Sequence, residues 1–325
     1  MGNILQQVTY LEILADNSGQ RIDNFLRTHL KGVPKSLVYR ILRKGEIRVN
    51  KGRVKPCYRL LEGDCLRIPP LRKPSLDQSV SNISNPKLAR IIADRVLYED
   101  DSLIILNKPS GLAVHGGSGI QLGLIELMRL MRPNQKKLEL VHRLDRDTSG
   151  CIMIAKKRSM LIEMHKLLRH RQGVKKTYHA LMRGHTSPHF SVQAPLKRFE
   201  LQSGERRVHV HPEGQESLTG FSLLERYPQF SLMEALPVTG RTHQIRVHAA
   251  YKGHPIAGDE KYGCRDSNIV MQAKGLDRLF LHARQLVFES PLSKELIAVQ
   301  APYDDVLTKS LGCLACKNTL GIGER

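Results

Sequence analysis

Apolar positions along the chain fall into short, separate groups. Ile22, Phe25, Leu26 and Leu30 recur at the spacing of one helical face, and Leu37, Val38, Ile41 and Leu42 repeat it after Pro34 and the capping candidate Ser36. Two short helices are predicted there. The segments from Glu46 to Asn50 and from Arg53 to Lys55 alternate in polarity on either side of Lys51-Gly52, which predicts a small β unit with its turn at that dipeptide. From Pro69 to about Asn85 the residues are mostly Pro, Ser, Asn, Asp and Lys without periodicity, the composition of a linker.

Beyond Arg90, runs of strand length alternate with helical patterns. Strands are predicted at Val96–Tyr98, Leu103–Asn107, Cys151–Ala155, Lys176–Arg183, Ser231–Leu236 and Leu279–Ala283, and helices over 122–131, 158–170 and 241–251. The spacing lacks the regular βαβ rhythm of a doubly wound sheet, so the expected class is α+β with a mixed, largely antiparallel sheet. The expected boundaries are a small α/β module at 19–73, a linker at 74–89, a main domain at 90–305 and a tail at 306–325. No apolar run approaches the ~18 residues of a membrane span. The N-terminus shows no signal pattern, which places the chain in the cytoplasm.

With 325 residues, 41% of them hydrophobic, the chain can bury a real core in about two folded units. Charge changes the picture more. There are 51 Lys and Arg against 31 Asp and Glu, a formal charge of +20. Residues 20–73 hold fifteen of those cations against four acidic groups, a surplus of eleven in one sixth of the chain. A polyanion is the expected partner. The six cysteines lack the spacing of a disulfide framework and read as reduced thiols, with Cys57, Cys151 and Cys264 as small apolar fillers. The Cys313-x-x-Cys316 pair has no second pair at zinc spacing, so no metal is expected.

Three clusters carry candidate chemistry. The densest is Val141-His142-Arg143-Leu144-Asp145-Arg146-Asp147-Thr148-Ser149-Gly150, set just before an apolar strand. The flanking cations favour the charged form of Asp145, a carboxylate suited to act as nucleophile or base on a polyanion. The alternative is a turn in which Asp147, Thr148 and Ser149 cap backbone amides. The second is Thr239-Gly240-Arg241 through His248, where helical spacing puts Thr242, Arg246 and Ala249 on one face and Arg241, Ile245 and His248 on another. An inward Arg246 needs an anion, either a carboxylate of the same protein or a phosphate; a solvated basic face is the bland reading. In the third, period-two alternation puts Lys176, Tyr178 and Ala180 on one side of a strand, with Tyr178 either a stacking platform or core packing.

At these residues the chain resembles the RluA-type pseudouridine synthases. The resemblance rests on His142-Arg143-Leu144-Asp145 with Thr148-Ser149-Gly150, on Lys176-Thr177-Tyr178, on Thr239-Gly240-Arg241 through Arg246, and on Asn107-Lys108-Pro109-Ser110-Gly111. Residues 20–68 resemble the small S4 RNA-binding module that precedes the catalytic domain in one subgroup, through Gln20-Arg21-Ile22-Asp23-Asn24-Phe25-Leu26 and Gly45-Glu46-Ile47-Arg48-Val49-Asn50. The resemblance implies a pseudouridine synthase catalytic domain, no metal or organic cofactor, and conversion of uridines in large-subunit (23S) ribosomal RNA or its assembly precursor, at several sites. It makes Asp145 the catalytic aspartate acting at the ribose, Arg246 its ion-pair partner, and Tyr178 a base-stacking residue that helps remove the proton from carbon 5. The target base must leave its stack. Candidate RNA contacts are Arg21, Lys35, Arg40, Arg43 and Lys44 of the S4-like module, with Arg206, Arg207 and Arg241; Arg143 either fills the gap left by the base or meets a phosphate. Nothing demands a dimer, so a monomer is expected. The rival readings are a non-catalytic ribosome-assembly protein using the same basic surfaces, and a nuclease or methyltransferase, whose metal cluster or glycine motif the sequence does not carry.

Overall fold

Strands Leu103–Lys108 and Ser149–Ala155 lie antiparallel and send alternate side chains to two faces. Leu103, Ile105, Cys151 and Met153 enter one apolar cluster, and Ile104, Leu106, Ile152 and Ile154 another. With both faces covered, these strands read as unbroken apolar runs. They belong to the larger of two compact units, 86–325, the smaller being 1–85. The structure, a computed structural model, describes residues 8–30, 33, 35–71, 86–116, 122–135, 137–170, 173–200 and 206–316.

The larger unit is built on a ten-stranded sheet. From one edge its strands run His189–Gln193, Leu218–Arg226, Phe230–Pro237, Val174–Arg183, Leu281–Glu289, Ser149–Ala155, Leu103–Lys108 and Val96–Glu99; Leu296–Gln300 pairs with Leu281–Glu289, and Glu139–Leu140 with Ser149–Ala155. One pairing is parallel, Ser149–Ala155 against Leu281–Glu289, and it sets Ser149 opposite His282. The others are antiparallel, so the sheet is mixed and largely antiparallel. Gly150 makes the parallel contact possible: its φ is 106°, and a Cβ there would stand 2.3 Å from the Ala283 carbonyl oxygen.

Helices cover both faces. Arg158–Arg169 buries Met160, Leu161 and Met164 in the first cluster, while Leu124–Met131 and Pro86–Ala93 bury Leu124, Leu127, Met128 and Ile92 in the second. A third cluster collects Ala180, Met233, Phe280 and the helix residues Ile245 and Ala249. Several elements differ from expectation. Helix Pro86–Ala93 begins inside the segment read as linker, with Pro at its first position, where its missing N–H costs nothing. The tail read from 306 onward holds a helix, Asp305–Ala315: the Asp304 carboxylate accepts the Leu307 N–H at 3.0 Å as an N-cap, and Leu307 and Leu314 enter the third cluster. A two-stranded ribbon, Leu196–Glu200 with Arg206–Val210, was not foreseen. Of the three cysteines read as fillers, Cys151 is buried, Cys264 half-buried and Cys57 exposed.

In the smaller unit, helices Ile22–His29 and Lys35–Lys44 share a core with Ile47, Val49, Leu60, Leu66 and Ile68. Its sheet runs Thr9–Glu12, Cys65–Ile68, Arg48–Val49 and Gly52–Arg53. The hairpin turn falls on Asn50 and Lys51, at φ 49° and 67°, one residue before the expected dipeptide. Asparagine tolerates that left-handed backbone, as a two-residue hairpin of this hand requires.

Candidate active site

The segment from Val141 to Thr148 is tied down residue by residue. His165 Nε2 donates to the Val141 carbonyl at 3.0 Å, His142 Nε2 accepts from the Met153 N–H at 3.2 Å, and Leu144 is buried in the second cluster. Burial and the charge of Lys176 push His142 down to about 4, which keeps it a neutral acceptor. Lys108, fully buried, donates through Nζ to the carbonyls of Pro109, Leu112 and Arg146 at 2.8, 2.9 and 2.9 Å. Ser110 Oγ donates to the Asp147 carbonyl at 2.7 Å. Ser149 Oγ accepts from Arg278 Nη2 at 2.7 Å and bonds His282 Nδ1 at 2.8 Å. Asp147, Thr148 and Ser149 are thus engaged otherwise than as amide caps: Asp147 pairs with Arg146, and Thr148 and Ser149 are buried.

The loop leaves Asp145 about a quarter exposed at a cleft of about 870 Å³. Tyr178, Arg246, His243, Lys176 and Arg241 line the same cleft. Its size suits a nucleotide-sized ligand. Arg246, 4% exposed, gives Nε and Nη2 to Asp259 at 2.8 and 2.7 Å and places Nη1 3.5 Å from Asp145 Oδ2. Its guanidinium also lies 5.2 Å from the Tyr262 ring centre. Burial works against its charge, but the Asp259 hydrogen bonds and the charges of Asp259 and Asp145 push its pKa up. Asp259 accepts the N–H groups of Lys261 and Tyr262 as well, and Arg246 holds its pKa down against burial. The anion foreseen for Arg246 is therefore chiefly Asp259, with Asp145 the looser partner.

His243 stands at φ 54° ahead of helix Gln244–Tyr251, its Nε2 3.8 Å from Asp145 Oδ2 and its Nδ1 2.8 Å from the Tyr262 hydroxyl. That hydroxyl accepts the Val208 N–H at 3.0 Å and can give its own proton to Nδ1, which leaves the His243 proton on Nε2, toward Asp145. Both close cationic or polar neighbours of Asp145 approach Oδ2. The carboxylate takes no hydrogen bond among the described residues, so both neighbours hold it loosely.

The helix begins three residues later than expected because the Gln244 side chain folds back, accepting from Thr239 Oγ1 at 2.6 Å and from the Arg241 N–H at 3.0 Å. Arg241 and Thr242 precede the helix, and Gln244 to Ala249 are all buried, so the two-face reading of this segment does not hold. Arg241, half-buried, donates Nε to the Glu216 carbonyl at 3.2 Å. Tyr178 packs partly buried against two clusters, and its hydroxyl has no hydrogen bond among the described residues. Burial and the Asp145 charge raise its pKa, which keeps the phenol protonated.

Arg143 is exposed on the cleft wall. Arg207 is half-buried and donates to the Lys261 carbonyl at 3.2 Å. In the smaller unit Arg40, Arg43 and Lys44 are exposed, whereas Arg21 is paired with the buried Asp23 at 2.7 Å. The side chains of Lys35 and Arg206 lie outside those described. Asp259 and Tyr262 were not singled out in the sequence, and Lys108 and His243 lay within its motifs without an assigned role. The run Gly258-Asp259-Glu260-Lys261-Tyr262-Gly263 was visible, and the requirement of Arg246 for an anion pointed to such a carboxylate.

A family model described as RNA pseudouridylate synthase matches residues 102–251, and one described as S4 domain matches residues 20–65. The chain is similar to the ribosomal large subunit pseudouridine synthase C of Escherichia coli (strain K12), 54% identical over 94% of this chain and 96% of that one. It is also similar to the protein of the same name from Pasteurella multocida (strain Pm70), 52% identical over 96% and 95%. Among solved structures, Human RNA Pseudouridylate Synthase Domain Containing 4 is 27% identical, covers 70% of this chain and 95% of its own, and superposes with a TM-score of 0.58.

Proposed function

This chain belongs to the RNA pseudouridylate synthase family, and from that premise we propose that it converts uridines of large-subunit ribosomal RNA to pseudouridine with Asp145 acting at the ribose. The observation that carries the reading is the Asp145 carboxylate, set at the cleft with Oδ2 3.5 Å from Arg246 and 3.8 Å from His243 and with no hydrogen bond among the described residues, so that it stays open to substrate. The isomerisation breaks the bond from N1 of uracil to C1′ and forms one from C5 to C1′. The C5 proton leaves to solvent and N1 gains a proton, so the change is redox-neutral and needs no co-reactant. The Asp145 carboxylate either attacks the sugar covalently or removes a sugar proton; both require a charged carboxylate facing the ribose. Asp259 holds Arg246, and Arg246 then orients Asp145 through a looser 3.5 Å contact. The Tyr178 ring offers a stacking surface for the everted base.

The cationic module matched by the S4 model, together with Arg143 and Arg241, supplies phosphate contacts that offset the cost of extracting the base. The test is tritium release from large-subunit RNA labelled at carbon 5 of uridine. Wild-type protein should release tritium, and Asp145→Asn should fold and bind the RNA yet release it about 10³-fold more slowly or not at all. Release by Asp145→Asn near the wild-type rate would reject the assignment.

A further inference from the structure

Of the cleft's cations that show no anionic partner among the described residues, Lys176 is half-buried whereas Arg143 and Arg169 are exposed. Arg246 is held between two carboxylates, and Arg241 reaches the Glu216 carbonyl. Lys176 Nζ makes no hydrogen bond or ion pair among the described residues, although its side chain is half-buried. Among the described residues Asp145 is the one carboxylate lining this cleft, and its ion pairs go to Arg246 and His243. Beside Nζ the wall is Gly240, where a Cβ would stand 3.9 Å away, so glycine leaves the ammonium uncovered on that side. The neighbouring His142 is neutral and offers no countercharge.

We propose that Lys176 binds a backbone phosphate of the RNA next to the everted nucleotide. The proposal rests on the pseudouridine synthase reading of the cleft. Lys176 and Tyr178 are two residues apart on strand Val174–Arg183 and line the same cleft, about 6–7 Å apart along the strand. A base stacked on Tyr178 therefore carries its own sugar-phosphate link toward Nζ. Burial lowers the Lys176 pKa, a cost that an arriving phosphate repays by pairing with the ammonium. The surroundings agree: Arg143, Arg169 and Arg241 line the cleft too, so this end of it is cationic and receptive to a polyanion.

The experiment uses the full chain and an RNA hairpin carrying a uridine that the wild-type protein converts, made in versions with a neutral methylphosphonate immediately 5′ or 3′ of that uridine. Binding is measured across a salt series and turnover at saturating RNA. Lys176→Met should weaken binding about tenfold and flatten the salt dependence by about 0.7 in slope, and Lys176→Arg should restore most of both. One methylphosphonate should weaken wild-type binding by a similar factor and leave Lys176→Met unaffected. The assignment is overturned if neither methylphosphonate weakens wild-type binding, a result that needs no variant to fold. It is overturned equally if the methylphosphonates weaken Lys176→Met as much as wild type, or if Lys176→Met loses turnover with its binding unchanged, which would place the ammonium on the base. Failure of the wild-type protein to convert any uridine would instead reject the functional reading itself.

Discussion

Arg246 shares its guanidinium between two carboxylates unequally: two short hydrogen bonds to Asp259 and one 3.5 Å contact to Asp145. This division is what lets one aspartate be structural and the other reactive. Asp259 is 1% exposed and neutralises the buried cation, while Asp145, about a quarter exposed and held by the longer contact, stays open to substrate. Asp259→Asn should therefore cost about 3–5 kcal/mol of stability by leaving a buried charge under-compensated. It should also slow tritium release, since Arg246 is left to Asp145 alone. Urea unfolding and the release assay check both effects; wild-type stability together with wild-type turnover would show that Asp259 does not anchor Arg246. Local charge and strand alternation brought Asp145 and Tyr178 forward only as candidates, each with a structural alternative, and the structure sets both on one cleft. Asp259 was not, because it meets Arg246 thirteen residues away through a turn that no periodicity encodes.

Among the elements, strands covered on both faces were the easiest to read, Leu103–Leu106 and Cys151–Ala155 being continuous apolar runs. Strand Leu218–Arg226 escaped because its burial alternates only over its first half and ends in exposed residues. Helix Asp305–Ala315 escaped because its apolar side is short and interrupted by Gly312. It is nonetheless part of the core: Leu307 is fully buried, and Asp304, its cap, is also paired with Arg278 at 3.2 Å, the residue that donates to Ser149 beside the Asp145 loop. Leu307→Ala should destabilise the larger unit by about 2–5 kcal/mol, read as a lower denaturation midpoint. A loss under about 1 kcal/mol would show the helix to be dispensable to the core.

Across the whole molecule, buried neutral histidines set a pH limit on stability. His282 is 1% exposed; it donates Nε2–H to the Ala301 carbonyl and takes the Ser149 hydroxyl at Nδ1, and burial pushes it down to about 4. Burial likewise holds His179 near 4. In the unfolded chain these groups titrate near the ordinary value of about 6.5. Between those two values the unfolded state binds protons that the folded state refuses, so stability is complete above pH 6.5 and is lost progressively as pH falls toward 4. The melting temperature should drop between pH 7 and pH 5; a flat profile would contradict neutral burial. The formal charge of +20 adds a second whole-molecule property, RNA binding that weakens steeply with salt. Whether Asp145 drives uridine isomerisation in large-subunit RNA is read in cells, by mapping pseudouridines in ribosomal RNA with carbodiimide and primer extension in wild-type, deletion and Asp145→Asn strains. The same large-subunit sites should be lost in the deletion and in Asp145→Asn; every site retained in the Asp145→Asn strain would rule out that role for the carboxylate.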